Sequence, residues 1–158
     1  MVCRVYYFSP VGELCIESEN EKITALKFNK EPKQEEHPSL VLKQCVDEID
    51  DYFSGHRKFF SFEMELKGTN FQQKVWNELL NIPFGKTISY EELAIRIGNI
   101  KSIRAVGLAN GQNPIAIVVP CHRVIGKNGD LVGYGGGLEN KKWLLQHEGV
   151  LLPQLSFF

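Results

Sequence analysis

Short apolar runs, Val5–Phe8 in "RVYYFSP" (Arg4–Pro10) and Leu14–Ile16 in "GELCIES" (Gly12–Ser18), flank Pro10-Val11-Gly12 as a turn. Two antiparallel strands are predicted, and "KITALKF" (Lys22–Phe28), after the polar turn Glu19–Glu21, makes a third strand of a small meander. "KEPKQEEHPS" (Lys30–Ser39) is charged and holds two prolines, which marks a surface loop. Leu40, Val41, Val46, Ile49, Tyr52 and Phe53 then recur near helical spacing and stop at Gly55. "FFSFEMEL" (Phe59–Leu66) alternates again and reads as one more strand or an extended linker.

From Thr69 the period changes to that of helices. "NFQQKVWNELLNI" groups Phe71, Val75, Leu79 and Ile82 on one face and ends at Pro83. "SYEELAIRIG" opens on Ser89 with Glu92 three residues later, the spacing of a capping box, and closes on Gly98. A further short helix is predicted from Ser102 to Asn110, so the pair forms a candidate helix-turn-helix. Its small residues, Ala105, Gly107, Ala109 and Gly111, fit two roles: tight packing within the domain or close approach to a nucleic acid. The last helix is "LENKKWLLQHEG" (Leu138–Gly149), with Gly149 as its stop. Before it, "GKNGDLVGYGGG" (Gly126–Gly137) has six glycines in twelve residues, which lets backbone approach a ligand closely. Tyr134 among them argues for a shaped loop.

The chain has 158 residues, 43% hydrophobic, enough for one or two small globular domains. No stretch is long and apolar enough to cross a membrane, and no signal peptide opens the chain, so a cytoplasmic, nucleoid-associated location is expected. Four cysteines (Cys3, Cys15, Cys45, Cys121) lack the spacing of a disulfide framework or a zinc site, so no metal is expected and each reads as a free thiol. Charge divides unevenly. Residues 1–68 carry 9 basic and 13 acidic side chains, residues 69–158 carry 9 and 6, so the second part suits a polyanion better.

The candidate chemistry lies in "AIVVPCHRVIGKNG" (Ala116–Gly129), where His122 and Arg123 follow Cys121 directly. A thiol near its ordinary pKa of ~8.5 needs a base or positive neighbours to act as a nucleophile at neutral pH. In extended chain, adjacent side chains point to opposite faces, so either the chain turns at Pro120-Cys121 or a water links thiol and imidazole. Distant partners, His147, His37 or His56, remain open on the sequence alone.

"PCHRVIG" from Pro120, "FQQKVW" from Phe71, "ISYEELA" from Ile88, "RAVGLANGQNP" from Arg104 and "WLLQHEG" from Trp143 together resemble the O6-alkylguanine-DNA alkyltransferases, the methylated-DNA–protein-cysteine methyltransferases. The likeness spans the second half in order. Over the first 68 residues it thins to "SPVGEL" and the strand-helix pattern.

The resemblance implies an α+β fold: a small N-terminal antiparallel sheet with a helix, ribonuclease-H-like, over 1–68, and a mainly helical, winged helix-turn-helix domain over 69–158. It implies single-turnover repair, in which O6-alkylguanine is flipped out of duplex DNA and its alkyl group passes irreversibly to Cys121. By the same resemblance, His122 takes the thiol proton through a water, Glu148 orients the imidazole, Asn113 holds the active-site turn, and Tyr90 donates to the base. Backbone at Cys121 and Val124 meets the exocyclic amine, Gly135 and Gly136 border the base, and Tyr134 packs on the pocket wall. Arg104 fills the place of the flipped base, with Ser102, Ala105, Ala109, Asn110 and Arg123 as further DNA contacts in the minor groove. No cofactor, no further domain ahead of the first sheet and a monomeric state are expected. Asn110 and Gly135 depart from relatives that carry an apolar residue and a serine there. Competing readings are a lesion sensor that does not react, which the presence of Cys121 disfavours, and a helix-turn-helix regulator with a structural cysteine.

Overall fold

The computed structural model describes residues 1–150, so the end of the second predicted domain, 151–158, lies outside the described residues. The fold is α+β and divides into two compact units. The first is Met1–Lys67 with Pro114–Val118; the second is Gly68–Asn113 with the chain from Val119 onward.

In the first unit, strands β1 (Val2–Ser9), β2 (Gly12–Glu19) and β3 (Lys22–Phe28) form an antiparallel sheet in chain order. Alternation along β2 places Leu14, Ile16 and Ser18 on the buried side. Asn20 and Glu21, both at positive φ (52° and 56°), form the two-residue turn that the right-handed strand twist favours. Helix α1 (Leu40–Phe53) starts at Ser39, whose side chain accepts from Leu42 N–H at 3.3 Å, and buries Leu42, Cys45, Ile49 and Tyr52. Cys45 is buried, whereas Cys3 and Cys15 are only half-buried.

Both sheet edges are covered by irregular chain. On the β1 side, Arg4 and His37 exchange two backbone hydrogen bonds of 2.9 Å. On the β3 side, Ile23 N–H donates to Glu63 O and Ile23 O accepts from Glu65 N–H, so Phe59–Leu66 is an extended linker with one bridge, not a full strand. Glu48, buried on α1, fastens that linker by accepting from the Ser61 N–H and hydroxyl, each at 2.7 Å. Farther along β3, Leu26 bonds to Pro114 O and Ala116 N–H at 2.9 Å. This excursion of Pro114–Val118 into the first unit was not legible as part of it. It includes Ile117, fully buried at φ 72°, in a tight turn closed by Val118 N–H to Ala116 O at 2.8 Å. A β-branched residue there is strained.

In the second unit, α2 (Asn70–Leu79) opens with a complete capping box: Thr69 Oγ1 accepts from Gln72 N–H, and the Gln72 side chain accepts from Thr69 N–H. Sequence spacing pointed instead to Ser89 and Glu92. There only the Ser89 half forms, at 3.0 Å, because the Glu92 carboxylate turns to Arg96 one helical turn on. Helix α3 (Tyr90–Ile97) stops at Gly98, φ 112°. A 3-10 turn (Ile100–Ser102) leads into α4 (Ile103–Gly111), completing the helix-turn-helix. Strands β4 (Ile88–Ser89) and β5 (Val124–Ile125) pair in parallel, and α5 (Leu138–His147) closes the described chain.

Trp76 is the side chain that joins these helices. It is 2% exposed and its Nε1–H donates to Ala109 O at 2.8 Å. Phe71, expected on the buried face, is instead partly exposed. A Cβ on Gly68 would lie 2.6 Å from two Trp76 ring atoms and 2.7 Å from Gln72 Oε1. Gly68→Ala is therefore expected to lower stability by about 2 kcal/mol through overpacking, read by urea unfolding at unchanged m-value.

Candidate active site

Cys121 owes its setting to two successive turns. Pro120 (φ −83°, ψ 63°) brings Cys121 N–H to Val119 O at 2.8 Å, an inverse γ-turn, and Cys121–Arg123 then form one turn of 3-10 helix. The chain thus turns sharply at Pro120-Cys121. Asn113, just past α4, donates from Nδ2 to Val119 O at 2.6 Å and so ties the end of α4 to this turn.

His122 and Glu148 form a buried pair: Nε2 and Oε2 are 2.7 Å apart and both side chains are shielded from solvent. Glu148 sits where α5 ends, and its carboxylate also receives Arg123 Nε at 2.8 Å, Arg123 Nη2 at 3.0 Å and Gly85 N–H at 3.4 Å. Arg123 spends its remaining reach on Ile82 O, 2.6 Å from Nη1. Burial, the largest influence on Glu148, raises its pKa, but His122 and Arg123 together outweigh it and hold the carboxyl well below the usual range. Burial, with Arg123 and Lys141 acting the same way, lowers the pKa of His122 against the pull of Glu148, so the neutral imidazole is favoured at neutral pH. The carboxylate then fixes the proton on Nε2, which leaves Nδ1 as an acceptor. Nδ1 is buried and has no hydrogen-bond partner among the described residues.

The Cys121 side chain is 7% exposed, and burial raises its thiol pKa, offset in part by Asn113 and by the Lys141 ammonium. A thiol so placed needs a base when it reacts. Tyr90, in the first turn of α3, donates to Val132 O at 3.3 Å, and burial, then Cys121, raises its pKa. Lys141 on α5, missed in the sequence, is fully buried and donates to Val132 O at 2.9 Å and Gly133 O at 3.3 Å. Its spacing on an otherwise polar helix carried no signal.

The glycine-rich loop continues through Tyr134, Gly135 and Gly136: Gly137 N–H returns to Tyr134 O at 2.9 Å, and Asn140 Nδ2 holds Gly136 O at 2.9 Å. A Cβ on Gly135 would meet nothing within 4 Å, so its lack of a side chain leaves open space. Val124 is buried in β5.

On α4, Arg104, Ala105, Leu108 and Gly111 share the exposed face, with Ser102 half-buried just ahead. Three residues expected at DNA need correction. Ala109 and Asn110 are buried on the opposite face, 2% and 4% exposed, where Ala109 meets Trp76. Arg123 is buried too, because its guanidinium is committed to Glu148 and Ile82.

Comparison with known proteins places these features. Residues 1–66 match the family described as 6-O-methylguanine DNA methyltransferase, ribonuclease-like domain, and residues 70–150 match 6-O-methylguanine DNA methyltransferase, DNA binding domain. The methylated-DNA–protein-cysteine methyltransferase of Mycobacterium tuberculosis is 45% identical over 150 residues, covering 92% of this chain and 91% of its own. That of Haemophilus influenzae is 46% identical over 152 residues, covering 92% and 85%. The crystal structure of the M. tuberculosis O6-methylguanine methyltransferase superposes with a TM-score of 0.86 at 42% identity, covering 100% of this chain and 99% of its own. The crystal structure of the same organism's enzyme in complex with DNA gives 0.83 at 42% identity, covering 99% and 98%. With both of its parts matched and a buried Cys-His-Glu set in the second, the chain belongs to the 6-O-methylguanine DNA methyltransferase family, the methylated-DNA–protein-cysteine methyltransferases.

Proposed function

We propose that this chain repairs O6-alkylguanine in duplex DNA by moving the alkyl group to Cys121, once per molecule and without a cofactor. The observation that carries the reading is the neutral His122, held by Glu148 with its acceptor Nδ1 unpaired, in the residue after a buried thiol. In the step, Cys121 Sγ bonds to the alkyl carbon as the C–O6 bond breaks. The thiol proton passes to His122 Nδ1 through a bridging water, and the bond electrons go to the departing guanine. Tyr90 donates to a ring nitrogen of that base and offsets the charge growing there. The thioether product is stable, so the protein is consumed.

The exposed face of α4 is the surface offered to DNA. Arg104, Ala105 and Gly111 fit a helix laid in the minor groove, and Arg104 takes the space of the flipped base. Extrusion costs a few kcal/mol of stacking and pairing. The protein acts as a monomer on the duplex.

The deciding experiment mixes the protein with an equimolar duplex holding one O6-methylguanine and reads both by mass spectrometry. One methyl on the peptide containing Cys121 is expected, with guanine restored and further lesion duplex left untouched. Unmodified protein that still binds the lesion would replace the reading with that of a sensor.

Arg104→Ala is expected to slow repair in duplex DNA about 10- to 100-fold while sparing reaction with free O6-benzylguanine. Equal losses on both substrates would remove Arg104 from the flipping role.

Acid should act on the relay with a defined sign. The His122 pKa lies below its ordinary 6.5, so the transfer rate should hold as pH falls through 6.5 and decline only at lower pH. Stability follows the same direction: both His122 and Glu148 have depressed folded values, so their contributions are full above 6.5 and 4.5 respectively and are lost as pH falls below them. Glu148→Gln, which no longer fixes the tautomer, is expected to cut the rate about 100-fold in single-turnover kinetics.

A further inference from the structure

Lys141 is the side chain in this site that the reaction above leaves without a task. It is 0% exposed, and among the described residues its ammonium pairs with no carboxylate. A lysine is almost never buried that way, because desolvating the charge is costly. Burial accordingly lowers its pKa from 10.5 to about 8. What it does instead is donate to two consecutive backbone carbonyls of the glycine-rich loop, Val132 at 2.9 Å and Gly133 at 3.3 Å, while lying 5.8 Å from the centre of the Tyr90 ring.

Val132 O also accepts from Tyr90 Oη at 3.3 Å. One carbonyl therefore takes two donors, from α3 and from α5. The phenol has a single proton. If it turns to a base in the pocket, Val132 O loses that bond and keeps the Lys141 donor, which cannot follow the base. Gly133, at φ 50°, and its glycine neighbours offer little resistance of their own to the loop shifting.

Resting on the proposed alkyl transfer, we propose that Lys141 is a positioning residue: it holds Val132 and Gly133 in place when Tyr90 gives up Val132 O to meet the substrate base. The two donors form a hand-over pair. Tyr90 is released for chemistry because Lys141 remains.

Three readouts test this. The first needs no DNA: urea unfolding of Tyr90→Phe, Lys141→Met and the double variant. Either donor alone satisfies Val132 O, so the double variant should lose about tenfold more in its folding equilibrium constant than the product of the single losses. An additive cycle overturns the shared carbonyl. The second is single-turnover methyl transfer at saturating lesion duplex. Lys141→Met should react about tenfold more slowly, with duplex affinity unchanged, and Lys141→Gln, which keeps a donor without the charge, should recover most of the rate. A Met variant at the native rate, or Met and Gln variants equally slow, overturns the positioning role.

Should the lysine variants not fold, the third readout keeps the native Lys141. Hydrogen exchange over residues 130–136 is followed in Cys121→Ser, free and bound to an O6-methylguanine duplex. Protection should be retained or increased on binding, and its loss overturns the proposal. If the native protein takes up no methyl, the alkyl-transfer reading fails, yet the stability cycle still reports on the shared carbonyl.

Discussion

Everything at this site depends on one buried carboxylate. Glu148 takes hydrogen bonds from the imidazole of His122 and from two nitrogens of Arg123, with Gly85 N–H at its edge. A carboxylate in that position is stable only because a permanent cation faces it. The neutral state of His122 makes Arg123 the partner that supplies the charge. The arginine so becomes part of the imidazole's support, and the imidazole in turn follows a thiol whose own ionisation burial opposes. Removing any one member leaves the others buried without the partner that satisfies them.

Glu148 also fixes where elements meet inside the second unit. It caps α5, while His122 and Arg123 lie in the 3-10 turn that follows Pro120, and Ile82 and Gly85 belong to the chain leaving α2. Three separate stretches of sequence are thereby held to one point. Asn113 adds a fourth through Val119 O, which links the end of α4 to the turn bearing Cys121. The turn bearing Cys121 and the end of α4 are thus joined by very few bonds.

Much of this could be seen in the chain. Apolar runs between turns marked β1, β2 and β3, and helical spacing or end signals marked α1 to α5, because such patterns express where an element is buried and where it stops. Cys121 and His122 stood out from the residues themselves, while Glu148 and the roles of the set came from motif resemblance. What stayed hidden has a common cause: it depends on partners distant in sequence. Arg123 reads as a surface cation until Glu148, 25 residues away, is brought to it. Lys141 looks like one more polar residue on a charged helix until the glycine-rich loop folds over it. Ser89 and Glu92 have the spacing of a capping box, yet Arg96 draws the glutamate away, and the full box forms at Thr69 and Gln72. Pro114–Val118 has no period of its own and is read only from its bonds to Leu26.

The three-stranded sheet carries a final consequence. Its outer strands are met by irregular chain, Arg4 by His37 on one side and Ile23 and Leu26 by the chain around Glu63 and Ile115 on the other, so the outward backbone groups of these three residues are engaged. Groups engaged in this way are not free to pair with a strand of a second molecule. Edge-to-edge pairing between copies of this chain is thereby blunted at those positions.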